Sequence, residues 1–272
     1  MKTIKFDGKV VMVTGGGGGL GRAMCLAFAR AGADIVVSDM RIDPMVEVAQ
    51  EVIKLGRRAI SIPCNVTISS EVNQMVEKAI SEFGHVDILV NNAGVVRDLD
   101  SGITHVEVSK PIWEITDQEW HLGMDTNLTG TFFCSRAIAR HMIERRSGAL
   151  INIASGAGIR GIRDYFMYCS AKAGVVLLTQ SLAHTWAGRG IRVNAIAPGT
   201  FRTFRSQEEY EKRGRFVPMG RVGEPEEISQ LAVFLASDAS SYITGQVFVI
   251  DGGSLAGGYA PIDFVPIIPL EE

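Results

Sequence analysis

The chain has 272 residues, 46% of them hydrophobic and 21% charged, enough apolar material to bury the core of one large or two small domains. Its net charge of −3 provides no basic field for nucleic acid or an anionic membrane surface. The opening Met1-Lys2-Thr3-Ile4-Lys5-Phe6-Asp7 has no long apolar segment, and Cys25, Cys64, Cys134 and Cys169 form no Cys-x-x-Cys pair, so a cytoplasmic chain with reduced thiols is expected.

In chain order, a short apolar strand at 10–13 runs into Thr14-Gly15-Gly16-Gly17-Gly18-Gly19-Leu20-Gly21, which opens a helix over 20–31. A second strand covers 34–39. Helical periodicity near 45–55 and 70–83 flanks a strand at 59–62, and a fourth strand spans 86–90. After a long connection come a helix at about 117–145, a strand at 149–153, a helix at 166–188 and a strand at 191–196. Pro225 starts a helix over 225–236 that leads to a seventh strand at 246–250. Near-continuous apolar strands alternating with helices imply a parallel sheet buried on both faces. No linker divides the chain. The expected architecture is therefore α/β: a single doubly wound, Rossmann-like domain over 1–272, with about seven strands, helices on both faces and an apolar C-terminal tail at 254–272.

Tyr168 and Lys172 stand four residues apart, one helical turn, so both side chains leave the same face. An ammonium beside a phenol favours phenolate and lowers the tyrosine pKa from about 10, although the same pair also reads as a surface tyrosine with a lysine lying along the helix. The glycine run sits between an apolar strand and an amphipathic helix, where a dinucleotide pyrophosphate is received. Composition leaves its register open, because Gly16-x-Gly18-x-x-Gly21 also satisfies the dinucleotide pattern. Asp39 ends the next strand, 18 residues beyond Gly21; it reads either as an acceptor for adenosine ribose hydroxyls or as a solvated strand end. A carboxylate there opposes the 2′-phosphate of NADP, so NAD is the expected cofactor, with Arg41 two residues on as a counterweight.

Taken together, these motifs resemble the short-chain dehydrogenase/reductase family over almost the whole chain. Thr14-Gly15-x-x-x-Gly19-x-Gly21 is similar to that family's cofactor loop and selects Gly15, Gly19 and Gly21 as its glycines, with Gly18 and Leu20 beside them. Asn91-Asn92-Ala93-Gly94 resembles the segment after strand four, and Asn127-Leu128-Thr129-Gly130 places Asn127 on the family's helix asparagine. Ser155 lies thirteen residues before Tyr168, as in many members. Pro198-Gly199-Thr200-Phe201-Arg202-Thr203 resembles the segment lining the nicotinamide, and Gly220-Arg221-x-Gly223-x-Pro225 and Ile250-Asp251-Gly252-Gly253 are also similar.

The resemblance implies an NAD-dependent oxidoreductase with Asn127, Ser155, Tyr168 and Lys172 as its catalytic residues. Tyr168 would take the alcohol proton, Lys172 would lower the phenol pKa and bind the nicotinamide ribose, Ser155 would hold the substrate oxygen, and Asn127 would keep a relay water. Cofactor contacts are expected from Gly15, Gly18, Gly19, Leu20, Gly21, Asp39, Met40, Asn65, Val66, Asn92, Ala93, Gly94, Pro198, Gly199, Phe201 and Thr203, together with Tyr168 and Lys172. Many NADP-using members carry a basic residue where Gly17 or Gly18 stands here. A homotetramer is implied as well.

Some features depart from the family pattern. Asn65 replaces a common aspartate at the adenine, though an amide oxygen can still accept that bond. Residues 95–115 form a longer connection than usual, with His105 and Lys110 read as loop residues. The five histidines have no ligand periodicity, so no metal is expected. Arg160, Arg163, Arg202 and Arg205 either greet an anionic substrate or pair on the surface with Asp164, Glu208 and Glu209, and the second is favoured. The apolar tail needs cover from its own subunit or a neighbour. The favoured activity is hydride transfer between NAD(H) and a small or medium secondary alcohol or its ketone. A 3-oxoacyl-thioester reductase is the alternative, and a non-catalytic dinucleotide sensor or scaffold the reading from another class.

Overall fold

The computed structural model describes residues 4–94, 111–203 and 206–257. Seven parallel strands form one sheet: β1 (Val10–Thr14), β2 (Asp34–Asp39), β3 (Ala59–Pro63), β4 (Ile88–Asn91), β5 (Gly148–Ile153), β6 (Ile191–Pro198) and β7 (Val247–Ile250), in the spatial order β3-β2-β1-β4-β5-β6-β7. Side chains along a strand alternate faces. Val11 and Val13, Ile35 and Val37, Ile88 and Val90 therefore enter one core, while Val10, Met12, Val36 and Leu89 enter the other. Apolar residues at every position are what a sheet covered on both sides requires.

The first core is closed by α1 (Gly19–Arg30), α2 (Ile42–Lys54) and α8 (Pro225–Ala236), through Met24, Phe28, Val48, Val52 and Ile228. The second is closed by α3 (Ser69–Phe83), α5 (Gly130–Arg145) and α6 (Phe166–Trp186), through Val72, Met75, Ile138, Met142 and Trp186. The chain leaves β1 toward β2 and β3, then returns to β4 and proceeds the other way. That reversal opens a crevice at the carboxyl ends of β1 and β4, the position where open α/β sheets bind ligands.

Two expected elements differ, and one helix is additional. The helix read over 117–145 is α4 (Asp117–Met124) and α5, joined by a π-helical turn at Asp125–Thr129 that contains Asn127. The fourth strand starts at Ile88 rather than Val86, because Asp87 turns its carboxylate onto the Val10 N–H (3.0 Å) and onto Arg145. A further helix, α7 (Gln207–Gly214), gave no periodic signal: it is polar almost all round, buries only Tyr210 and Gly214, and starts at a Ser206/Glu209 capping box. The described residues end in the short α9 (Ser254–Gly257), inside the expected tail; the rest of that tail, the long connection up to residue 110 and Arg205 lie outside the described residues. No helix among the described residues is long and apolar enough to cross a membrane.

Candidate active site

The crevice begins where β1 releases the chain. Gly15 has φ +63° and Gly19 φ +50°, a left-handed backbone that suits glycine. A Cβ at Gly21 would run into the Gly15 carbonyl oxygen and lie 2.6 Å from Asn92 Nδ2. Gly15, Gly19 and Gly21, the three that the family pattern selects, each favour glycine here, and a Cβ on Gly16 would also lie 2.9 Å from Val37 Cγ1. Asn92 fastens the loop to β4, its Nδ2 donating to the carbonyl oxygens of Thr14 and Gly15 at 3.0 Å each. Thr14 Oγ1 accepts in return from the N–H groups of Asn92 and Ala93, both at 3.1 Å. No side chain caps α1, so its first N–H groups face the crevice. A side-chain-free cradle at an uncapped helix N-terminus fits a dinucleotide pyrophosphate.

Asp39, at the end of β2, is 6% exposed. Its Oδ2 accepts from the Gly17 N–H at 3.0 Å and its Oδ1 from the Arg41 N–H at 3.0 Å, while the Arg41 guanidinium reaches both oxygens at 3.3 Å. Met40 beside it is exposed. The Asn65 amide oxygen closes a turn by accepting from the Thr67 N–H (3.0 Å) and hydroxyl (2.8 Å), so it is engaged inside the protein rather than held open for an adenine. Val66 is buried against the start of α5, where a Cβ on Gly130 would meet it.

Three elements converge deeper in the crevice. A Cβ built on Gly94 would lie 2.8 Å from Asn127 Oδ1 and 3.4 Å from Lys172 Nζ, which brings the ends of β4, the π-helical turn and α6 together. Asn127 is fully buried and its Nδ2 donates to the Gly123 carbonyl at 2.9 Å, across the widened turn. Lys172 is 4% exposed, donates from Nζ to the Ile153 carbonyl at 2.8 Å, and stands 5.7 Å from the centroid of the half-buried Tyr168 ring. Burial pushes the Lys172 pKa down from 10.5 to about 8, which leaves the ammonium mostly charged at neutral pH. Ser155 follows β5, buried, with its Oγ accepting from the Ala157 N–H at 3.1 Å. Gly158 sits against the Lys172 backbone so closely that a Cβ would come within 2.6 Å, which locks the turn after Ser155 onto α6.

On the far side of the crevice, Gly199 donates its N–H to the Ile250 carbonyl at 2.9 Å, after Pro198 ends β6. Phe201 is buried and bridges to Gly223, whose missing side chain makes room for the ring. The Thr203 N–H donates to Tyr210 Oη at 2.5 Å, tying this segment to α7. A buried polar row supports the floor: Asn91 Nδ2 donates to Asn152 Oδ1 (2.9 Å) and Asn152 Nδ2 to Thr179 Oγ1 (2.9 Å). No role was read for Asn152 or Thr179 from the sequence. Asparagines at the ends of otherwise apolar strands were the available signal.

A family model described as Enoyl-(Acyl carrier protein) reductase matches residues 16–254, taking in the glycine loop from Gly16 onward and all four candidate catalytic residues. The chain belongs to the short-chain dehydrogenase/reductase family. As a member of that family it is an oxidoreductase. It is 36% identical over 254 residues to a 3-oxoacyl-(acyl-carrier-protein) reductase of Thermotoga maritima, covering 92% of this chain and 99% of the relative. It is also 36% identical over 263 residues to 2-dehydro-3-deoxy-D-gluconate 5-dehydrogenase of Escherichia coli, covering 94% and 99%. Among solved structures it is similar to a 3-oxoacyl-(acyl-carrier protein) reductase with bound NAD from Brucella melitensis, with TM-score 0.82, 32% identity, and 92% and 93% of the two chains covered.

In this short-chain dehydrogenase/reductase two of the described arginines near the crevice, Arg163 and Arg202, are engaged. Arg163 pairs with Asp164 at 3.5 Å. Arg202 pairs with Glu224 at 3.0 Å, donates to Gln207 and lies 4.9 Å from the Tyr210 ring centroid. Glu224 is the partner of Arg202, which reaches back to the start of α8.

Proposed function

We propose that the chain is an NAD(H)-dependent dehydrogenase/reductase acting on a small or medium secondary alcohol or its ketone, with Tyr168 as general acid/base. The observation that carries this reading is the buried Lys172 ammonium beside the Tyr168 ring, on the same helical turn and across from Gly94 and Asn127. NAD, when bound, supplies the hydride acceptor. Ser155 holds the substrate oxygen through its hydroxyl, and Tyr168 takes the proton from that oxygen as the carbinol carbon loses hydride. Lys172 favours the phenolate by its charge, and Asn127 holds the water that carries the proton outward. Gly15, Gly18, Gly19, Leu20 and Gly21 receive the pyrophosphate; Asp39 and Met40 the adenosine ribose; Val66 borders the adenine, with Asn65 beside it shaping the turn through Thr67 rather than offering its amide oxygen. Asn92, Ala93, Gly94, Pro198, Gly199, Phe201 and Thr203 line the remainder. The buried Asp39 carboxylate and the bare loop at Gly17 and Gly18 support NAD over NADP, as does the bound NAD in the similar Brucella structure. We also take the enzyme to be a single-domain, cytoplasmic homotetramer, supported by four free thiols and by exposed Phe132 and Leu177 on α5 and α6.

A second reading, a 3-oxoacyl-thioester reductase, is supported by the 36% identity to the Thermotoga reductase over 99% of its length. Purified protein should be assayed with NAD and NADP against a panel of secondary alcohols, acidic ones included, and with NADH and NADPH against 3-oxoacyl thioesters. The account expects NAD-linked oxidation of an alcohol, with kcat/KM for NAD at least about tenfold above that for NADP, a difference of roughly 1.4 kcal/mol. Turnover confined to the thioesters would replace it with the second reading, and a preference for NADP would overturn the cofactor assignment.

A further inference from the structure

We propose that Leu255, on α9, is the wall that limits the size of one substituent on the substrate's carbinol carbon. The proposal deepens the alcohol and ketone reading and rests on it. Beyond β7 the chain turns back through Gly252 (φ +63°) and Gly253 (φ +91°), a left-handed pair that glycine allows. The turn brings Leu255 against the loop that follows β5. A Cβ built on Gly156, the residue after Ser155, would stand 3.7 Å from Leu255 Cδ1 and 3.9 Å from its Cγ, with the Pro198 carbonyl oxygen at 3.8 Å. These are ordinary packing distances. Leu255 therefore lies over the backbone next to Ser155 and beside the end of β6, between the residue assigned to the substrate oxygen and the segment assigned to the nicotinamide. Gly156 is buried beneath it, while Leu255 itself is half-buried and keeps part of its side chain open.

The leucine is held from two sides. Asp251 Oδ2 accepts the Leu255 N–H at 2.7 Å, and its Oδ1 accepts the Gly253 N–H at 2.9 Å. A Cβ on Gly199 would lie 2.7 Å from Asp251 Cβ, so the same aspartate packs on the turn after β6. Opposite, the Met219 N–H donates to the Gly252 carbonyl at 3.2 Å, and Pro218 lies 3.3 Å and 3.5 Å from where Cβ atoms on Gly253 and Gly257 would stand. A substrate whose oxygen rests on the Ser155 hydroxyl has two arms on its carbinol carbon. The arm turned toward α9 meets a branched apolar side chain on a fixed backbone. Leucine offers that arm an apolar surface of fixed depth, and neither a charge nor a hydrogen bond.

The test is kcat/KM for both enantiomers of 2-butanol and 2-octanol with wild type, Leu255→Ala and Leu255→Phe. Exchanging the enantiomers of a methyl carbinol exchanges the arm that faces α9, so the wall acts on one enantiomer and spares the other. For one enantiomer, the ratio of 2-octanol to 2-butanol should rise at least about tenfold in Leu255→Ala and fall in Leu255→Phe, the scale on which a hydrophobic pocket discriminates by size. For the other it should stay within about twofold, as should the Kd for NADH, which separates a moved wall from a disturbed cofactor site. Ratios equal in all three proteins, or a shift shared by both enantiomers, overturn the wall. Turnover confined to 3-oxoacyl thioesters overturns the alcohol reading, and the wall is then read there. A thioester carries bulk on both sides of its ketone, so Leu255→Phe must lower kcat/KM at least about tenfold, and an unchanged value overturns the wall as well.

Discussion

Lys172→Met should make folding stability respond differently to alkali. The Lys172 ammonium is held 4% exposed, and its pKa falls from 10.5 to about 8 because burial penalises the charge. At about 1.4 kcal/mol per pKa unit, that drop corresponds to roughly 3 kcal/mol between charged and neutral forms. A folded pKa below the unfolded value means that the unfolded state holds the proton more tightly. Wild-type stability therefore rises as pH increases from about 8 toward 10.5, and this gain is lost as pH falls back through the folded value. Methionine neither titrates nor donates. Leaving the Ile153 carbonyl without its donor costs about 1–3 kcal/mol, but that cost does not change with pH and cancels when two pH values are compared. Denaturant unfolding of both proteins at about pH 7 and about pH 10, at one protein concentration, should show wild type gaining roughly 2–3 kcal/mol on the variant. An equal pH response in the two proteins would refute the reasoning, since it would mean that Lys172 titrates as an ordinary surface lysine.

Gly21→Ala should fold, because the position lies in a helix where alanine is favoured, yet bind NADH at least about tenfold more weakly, as its Cβ must push the Gly15 carbonyl out of the loop; NADH titration with circular dichroism checks both parts. Acid should weaken the fold at the opposite end of the sheet. Burial, Arg145 and His85 hold the His141 imidazole below its ordinary value, against the pull of Asp87 and Glu144, and its Nε2 accepts the Val86 N–H at 3.2 Å. The folded pKa is depressed, so its contribution is complete above about pH 6.5 and is lost as pH falls through the folded value. Thermal melts between about pH 7 and about pH 5 should show a smaller loss in His141→Gln, whose amide oxygen can take the same bond.

Much of this fold was legible because both faces of the sheet are buried, which turns each strand into an apolar run with helices between. The glycine loop was legible as a loop, but not in its register. Five consecutive glycines hide by composition which of them need positive φ or close approach; the family pattern selected Gly15, Gly19 and Gly21, and the coordinates supply the physical reason at each. The break at Asn127 was hidden since a π-helical turn keeps helical composition while inserting one residue into the spacing. Helix α7 escaped because a helix that buries little carries no apolar stripe. The pairing of Arg41 with Asp39 was weighed only as a charge two residues away; that its fork fills the carboxylate depends on side-chain geometry that spacing does not encode.

The central claim is that the Tyr168 phenol moves the substrate proton while other groups hold the cofactor, and Tyr168→Phe tests it most directly. The variant keeps the half-buried ring on α6 and loses only the hydroxyl. Steady-state kcat on the preferred alcohol and the Kd for NADH should be measured side by side. The account predicts that kcat falls by about 10²-fold or more, the usual contribution of a general acid/base, with NADH affinity unchanged within about twofold. Near-normal kcat in the phenylalanine variant would contradict it.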